Sequence, residues 1–277
     1  MVGALLGRQR PPTALLVAGV VVGLGAVLPA AYLFVVVGGD LGAALDEALA
    51  ADTALVVLRS LGLTAAVCLT AIAIALPLAW LTSRTDLPGR RVWATLAALP
   101  LVIPSYVGAY LIIAALGPNG MLQDLLGVER LPSIYGFPGA WLALSLFTFP
   151  LVLLPVRSTL QRLDPQLEEA ARSMGRTPAE TFRTVVLPQL RPALAAGSVL
   201  VALYVMSDFG AVSIMRFESF TTEIYVQYRS SFDRTGAASL AAVLVLLMLV
   251  LIWLNGRVHR RQALYRSTPG TARPAHP

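Results

Sequence analysis

The chain has no lysine, one cysteine and two histidines among its 277 residues. A single thiol excludes an internal disulfide framework and a thiolate metal cluster. That cysteine, Cys68, lies in an apolar run and reads as a packing residue. His259 and His276 fall in a polar tail, too isolated for a metal site. Charge is scarce as well: 13% of residues are charged, 57% are hydrophobic, and the mean hydropathy is +0.73. That is the composition of a membrane protein, not of a soluble core. Catalytic signatures are missing too. The sequence contains no GxxxxGK[ST] phosphate loop, no HExxH and no GxSxG. No histidine–carboxylate pair falls on an apolar run. The chain is therefore not expected to be an enzyme, to hydrolyse ATP itself, or to bind a cofactor or metal.

What it has is apolar runs of membrane-crossing length. A span needs about 20 predominantly apolar residues. The first runs from Thr13 to Val37 and the second from Leu61 to Leu81. Between them, Gly38 to Arg59 holds Asp40, Asp46, Glu47 and Asp52, and includes a short amphipathic helix on the membrane surface. The third span, Trp93 to Leu116, is broken by Pro100 and Pro104, since proline removes a backbone donor and kinks a helix. Gly117-Pro118-Asn119-Gly120 is turn chemistry, with Asn119 capping a short helix from Gly120 to Leu126. The fourth span, Ala140 to Val156, contains Pro150 and Pro155. The fifth runs from Ala193 to Met215, and the sixth from Ala237 to Leu254. Between these last two, a short helix is expected around Thr222 to Tyr228. The tail from Arg257 is basic, then rich in Pro and Gly, and reads as disordered. The expected fold is an all-α membrane protein with six transmembrane helices: a head over 1–12, a transmembrane domain over 13–256 and a tail over 257–277.

The arginines set the orientation. With the N-terminus inside, five fall outside: Arg59, Arg130, Arg216, Arg229 and Arg234. The other sixteen of the 21 basic residues fall in the head, the loop from Thr82 to Arg91, the segment 157–192 and the tail. This is the positive-inside bias, and it places both termini in the cytoplasm. Trp80, Trp93, Trp141 and Trp253 fall near span ends, where indoles favour the interface.

The longest polar island, within 157–192, is therefore cytoplasmic, and it is well punctuated. Asp164 is a helix cap and Pro165 suits the first helical position. Glu168 and Glu169 lie near the positive end of the helix dipole. Gly175 supplies a left-handed stop. Thr177-Pro178-Ala179-Glu180 then restarts the chain as a capping box. The pattern predicts two short helices joined by a sharp turn at Gly175-Arg176.

Glu169-Ala170-Ala171, Gly175, Val185 and Leu187-Pro188, at these spacings, resemble the cytoplasmic EAA loop of ABC-importer permeases. Val185 replaces that family's usual isoleucine. The resemblance implies a coupling helix that docks in a groove of an ATPase subunit. Glu168, Glu169, Ala170, Ala171, Gly175, Pro178, Leu187 and Pro188 form the expected coupling loop. The rival is a membrane-anchored regulator reading DNA through a helix-turn-helix at the same place.

Asp208 is the one ionisable residue placed inside a span, near the outer end of the fifth. A carboxylate there is costly unless paired, hydrated or facing a cavity. With Ser207 and Pro104 it is a candidate for the translocation pathway; the alternative is a hydrogen-bonded structural carboxylate. Glu218, Glu223 and Asp233 lie outside, as a solvated rim or a contact for a substrate-delivery protein. Ser207 to Ser213, Tyr225 to Tyr228 and Ser230 to Arg234 are similar to ferric-iron importer permeases. So are Arg84 to Arg91 and Leu131 to Gly139. Thiamine and polyamine permeases share the architecture. Ferric permeases carry two such halves in one chain, and this sequence resembles the first half.

The resemblance implies an importer in the cell membrane that works by alternating access. Its partners would be an ATPase dimer that spends the ATP, a periplasmic or extracellular substrate-binding protein, a second permease half and membrane lipid, with no nucleic acid.

Overall fold

The structure is a computed structural model that describes residues 13–118, 120–127, 132–230 and 233–263, without the side chains of 30 and 258–263. The head residues Arg8 and Arg10, the cap Asn119, Arg130, Leu131, Ser231, Phe232, His276 and the tail over 264–277 lie outside the described residues, as does the side chain of His259.

All described elements are helical. They run α1 Thr13–Gly39, α2 Leu41–Ala48, α3 Ala51–Arg84, α4 Arg90–Leu96, α5 Ser105–Leu116, α6 Met121–Leu126 and α7 Phe137–Thr148. Then follow α8 Pro150–Arg162, α9 Pro165–Ser173, α10 Pro178–Thr181, α11 Leu187–Ser207, α12 Gly210–Ile214, α13 Phe220–Arg229 and α14 Arg234–Ala263. Six helical stretches are long and apolar enough to cross a membrane. The protein is an all-α, six-span membrane protein.

The core is built by α3, α8 and α11. On α3, Leu63, Val67, Ala71, Ala75 and Ala79 recur every four residues and are almost wholly buried. That spacing aligns them on one face. The alanines let neighbouring backbones approach closely, as membrane helix packing favours. Gly197 does the same on α11: a Cβ there would lie 2.7 Å from Val152 Cα on α8. By contrast, α1 packs mainly along α14 and α2 and leaves most of its apolar surface open.

The helix boundaries depart from the hydropathy pattern in five places. First, α3 begins at Ala51, ten residues before the expected start, and one side of its first three turns is buried against protein, in contact with α2 and α13. Thr53 and Ser60 are buried there. Second, the span expected from Trp93 to Leu116 is broken, as its prolines predict, and its membrane-length helical stretch begins only at Ser105. It consists of α4, a 3-10 turn at Leu99–Val102, an extended break at Ile103-Pro104, and α5. Pro104 drives Ile103 out of the helical region, to φ −85 and ψ 120. Third, α10 is not a separate short helix. It continues through a π-helical stretch, Phe182–Val186, into α11. Pro188 has no N–H to offer, and the widened turn just before it absorbs the mismatch, with Leu187 N donating to Phe182 O. Fourth, the fifth span ends at Ser207 rather than Met215, and a new short helix, α12, begins at Gly210. Fifth, α14 runs on to Ala263, so 257–263 is helix, where disorder was expected.

The segments assigned to the outside by their arginines meet at one end of the bundle. Arg59 pairs with Glu218, Gln227 Nε2 donates to Glu47 Oε1 at 2.8 Å, and Gly136 N donates to Met215 O at 2.6 Å. At the other end, Arg84 in the last turn of α3 reaches Leu163 O and Glu168.

Candidate functional site: the inner helical hairpin

At the inner end, α8 stops at Leu163 and the chain turns into α9. Asp164 Oδ1 accepts a hydrogen bond from Gln166 N at 2.9 Å, capping the new helix. The two adjacent glutamates then part. Glu168 turns toward the bundle and stands 3.1 Å from Arg84 Nη2 at the last turn of α3. Glu169 is exposed. On the same helix Ala171 is buried, while Leu167, Ala170 and Met174 are exposed. Leu167, Ala170 and Met174 are three and four residues apart, so they form one apolar stripe facing away from the bundle.

The turn at the end of α9 is set by Gly175, with φ +83. Gly175 N donates to Arg172 O at 2.9 Å and Arg176 N to Ala171 O at 3.3 Å. This pair of bonds is a Schellman stop, which needs a left-handed residue. The restart is the capping box read from Thr177 and Glu180: Thr177 N donates to Glu180 Oε2 at 2.8 Å, and Glu180 N to Thr177 Oγ1 at 3.3 Å. Arg176 Nη1 donates to Thr184 Oγ1 at 2.6 Å, tying the turn to the following helix. Pro178 occupies the first helical position, and Leu187 and Pro188, both half-buried, begin α11. The structure therefore places Glu168, Glu169, Ala170, Ala171, Gly175 and Pro178 on this hairpin, and Leu187 and Pro188 at the start of the span beyond it. Because α10 is continuous with a membrane span, it cannot act as a free recognition helix.

Arg84 was legible only as one arginine of a basic loop. Its signal was its place at the C-terminal turn of a long helix, where cations are favoured. Trp80 and Phe182 meet edge-to-face beside it, with centroids 5.3 Å apart.

The outer candidates lie elsewhere. Asp208 is not inside a helix. It stands in the break between α11 and α12, 8% exposed, and its Oδ1 accepts from Ala211 N at 2.8 Å and Val212 N at 3.4 Å. Its placement within a span is thereby corrected: the carboxylate serves the unpaired amides that a restarting helix creates. Ser207 is exposed, and its hydroxyl donates to Tyr204 O at 3.0 Å. Pro104 starts α5 across the way. A Cβ added to Gly210 would lie 3.0 Å from both Ser105 Oγ and Tyr106 Cβ, so the two helix breaks lie against each other. Tyr106 and Tyr110, on α5, are exposed next to this junction.

Known proteins share both the sequence and this arrangement. The profile of the family described as "Binding-protein-dependent transport system inner membrane component" matches residues 71–264. The Fe(3+)-transport system permease protein FbpB 2 of Haemophilus influenzae is 32% identical over 269 residues, which is 96% of this chain and 50% of that protein. The chain thus spans half the length of that relative. The sulfate transport system permease protein CysT of Salmonella typhimurium is 31% identical over 194 residues, 66% of this chain and 70% of its own. Two solved structures share the fold. The inward-facing MetNI methionine ABC transporter has a TM-score of 0.58 at 20% identity, covering 77% of this chain and 99% of that one. A bacterial alginate ABC transporter, in complex with a periplasmic protein bound to an alginate pentasaccharide, has a TM-score of 0.67 at 16% identity, covering 89% and 94%. The six apolar helices, the inner hairpin and the match over residues 71–264 have one conclusion: the chain belongs to the family of binding-protein-dependent transport system inner membrane components.

Proposed function

We propose that this chain is one permease half of an ATP-driven importer, and that α9 is its docking element for an ATPase subunit. The observation that carries this reading is the two-sided character of α9. One side, Glu168 and Ala171, is committed to its own bundle. The other, Leu167, Ala170 and Met174 beside the exposed Glu169, has no cover among the described residues. An apolar stripe on a charged cytoplasmic hairpin is a surface for another protein. The motion delivered there would swing the spans between inward and outward openings, with the paired breaks at Pro104 and Asp208 near the path. Discontinuous helices place irregular backbone where it lines a cavity.

Ferric iron is the proposed substrate, supported by the match to the Fe(3+) permease along 96% of this chain. An oxyanion is the second reading, favoured by the sulfate and molybdenum permeases, both about 30% identical over shorter stretches. Thiamine and polyamine are the readings that the resemblance alone allows. Alternating access needs two bundles moving against each other, so the working unit includes a second half, either a second copy or another six-span chain. The other partners proposed are two ATPase subunits, which spend the ATP, and a substrate-binding protein at the outer end. Both termini are cytoplasmic in this reading.

The experiment is uptake into proteoliposomes holding the complex purified from native membranes, with labelled ferric iron, sulfate and molybdate offered in turn. ATP-dependent accumulation of iron alone is expected. Accumulation of an oxyanion alone moves the substrate to the second reading. An active complex with one copy of this chain and no second permease chain, found by cross-linking and mass determination, overturns the two-bundle unit.

A further inference from the structure

Two connections tie α9 to the rest of the chain through its neighbours in sequence: Leu163 and Asp164 before it, and the Gly175 turn after it. A third comes from far away. Arg84, at the last turn of α3, donates from Nη2 to Leu163 O at 3.1 Å and stands 3.1 Å from Glu168 Oε1. The two charged side chains are 16% and 13% exposed. Only two ion pairs occur among the described residues, and this is the one that joins a membrane span to α9.

The pair is close but not locked. Glu168 Oε1 and Arg84 Nε are buried without an aligned hydrogen bond. The contact at Glu168 is therefore an ion pair rather than a directed bond. Beside it opens a cleft of about 240 Å³, lined by Trp80, Arg172, Pro178, Thr181 and Phe182. Charge attraction to Glu168 and the bond to Leu163 O hold the end of α3 against α9 beside this cleft. The helix that Arg84 grips is otherwise lightly held, since Ala171 is the one buried residue on α9. Without Arg84, α9 could swivel about the Gly175 turn. With Arg84, it must move with the end of α3. That helix is 34 residues long and reaches the outer end, where Arg59 and Ser60 hold the segment around Glu218 and Phe220.

We propose that Arg84 is a positioning residue for coupling: through Leu163 O and Glu168 it makes α9 and α3 move as one body, so that displacement at the ATPase face reaches the outer end. This rests on the reading of α9 as the ATPase-docking element.

The test uses the whole complex in proteoliposomes, with three readouts: ATPase retained on purification, ATP hydrolysed, and substrate moved per ATP. Arg84→Met is expected to retain the ATPase but to move about fivefold less substrate per ATP, the low end of typical site-to-site coupling. Arg84→Lys keeps the charge but places its single nitrogen differently from Nη2, which makes both contacts, and should fall between. Glu168→Gln, which preserves shape, should lower the same ratio and carries the test if Arg84→Met fails to insert. The double exchange Arg84→Glu with Glu168→Arg should recover at least half of the lost ratio, because the attraction is restored in reverse. A wild-type ratio in Arg84→Met and Glu168→Gln overturns the proposal. So does a loss that the double exchange leaves unrelieved, since that would mark a merely structural site. A wild-type complex that holds no ATPase at all sinks the docking reading instead, and is recognised without any variant.

Discussion

The elements at the two ends of α3 are held to it in opposite ways. At the outer end the ties are many. Arg59 pairs with Glu218, Ser60 Oγ accepts from Phe220 N at 3.1 Å, and Thr53 Oγ1 donates to Glu47 O at 2.8 Å. Gln227 reaches Glu47, and Thr221 Oγ1 donates to Asp208 O at 2.7 Å. Beneath them Val56, Met206, Phe220, Leu240 and Leu244 form a second apolar cluster. At the inner end α3 itself is packed, through Ala79, Thr82 and the Trp80–Phe182 contact, but α9 is held to it by little more than Arg84 and one buried alanine over an open cleft. The outer end is redundant, so it stays in one arrangement when a single tie is lost. The hold on α9 is concentrated on few groups, and such elements sit at the low end of local stability, where moving parts are drawn from. The asymmetry suits a bundle that receives motion at one end and presents a fixed surface at the other.

The contrast can be broken most severely at the hairpin. Gly175→Val is expected to abolish uptake while the protein remains in the membrane. Its φ of +83 suits glycine, and a left-handed conformation costs a branched residue at least about 1–2 kcal/mol. Glu169→Lys, on the exposed side, should uncouple without touching the fold. Uptake assays beside quantified membrane protein check both; normal uptake in either variant removes the docking role of α9.

At the outer junction, Asp208→Asn separates two duties of one carboxylate. Asparagine keeps an acceptor for Ala211 and Val212 amides, so membrane protein should hold steady while uptake falls several-fold if the residue borders the path. Parallel losses of uptake and folded protein would leave it only the capping duty.

Smaller effects sharpen the redundancy. Ser60→Ala orphans the buried Phe220 amide, a loss of about 1–3 kcal/mol that should lower the thermal midpoint in detergent without changing substrate moved per ATP. Arg59→Ala should cost least, about 0–1 kcal/mol, because the side chains of its pair with Glu218 are 39% and 69% exposed. A larger coupling loss from Arg59→Ala than from Arg84→Met would invert the comparison.

Much of the hairpin was legible because its instructions are local. Thr177 and Glu180 are three residues apart and can only meet as a capping box; Gly175 follows a polar helix with no other stop. The spans were legible as counts because about 20 apolar residues leave few alternatives to a membrane. Their ends were not, since hydropathy measures lipid contact and is blind to protein contact. Ala51 to Ser60 is helix with one side, Thr53, Val56 and Ser60, buried against protein. The break at Ile103 was foreshadowed by Pro104, but the break at Asp208 was not, because the restart at Gly210 depends on packing against Ser105 and Tyr106.

The sequence by itself determined six spans and a capped hairpin between the fourth and the fifth, and its arginines carry the proposed sidedness. Each follows from composition or from residues within one or two turns of each other. Only the tertiary structure decided which glutamate of the adjacent pair faces the bundle. Successive residues on a helix point about 100° apart, so the pattern separates Glu168 from Glu169 but does not say which side is covered. That depends on where the end of α3 lies, 84 residues earlier in the chain, and on Arg84 waiting there for one carboxylate and not the other.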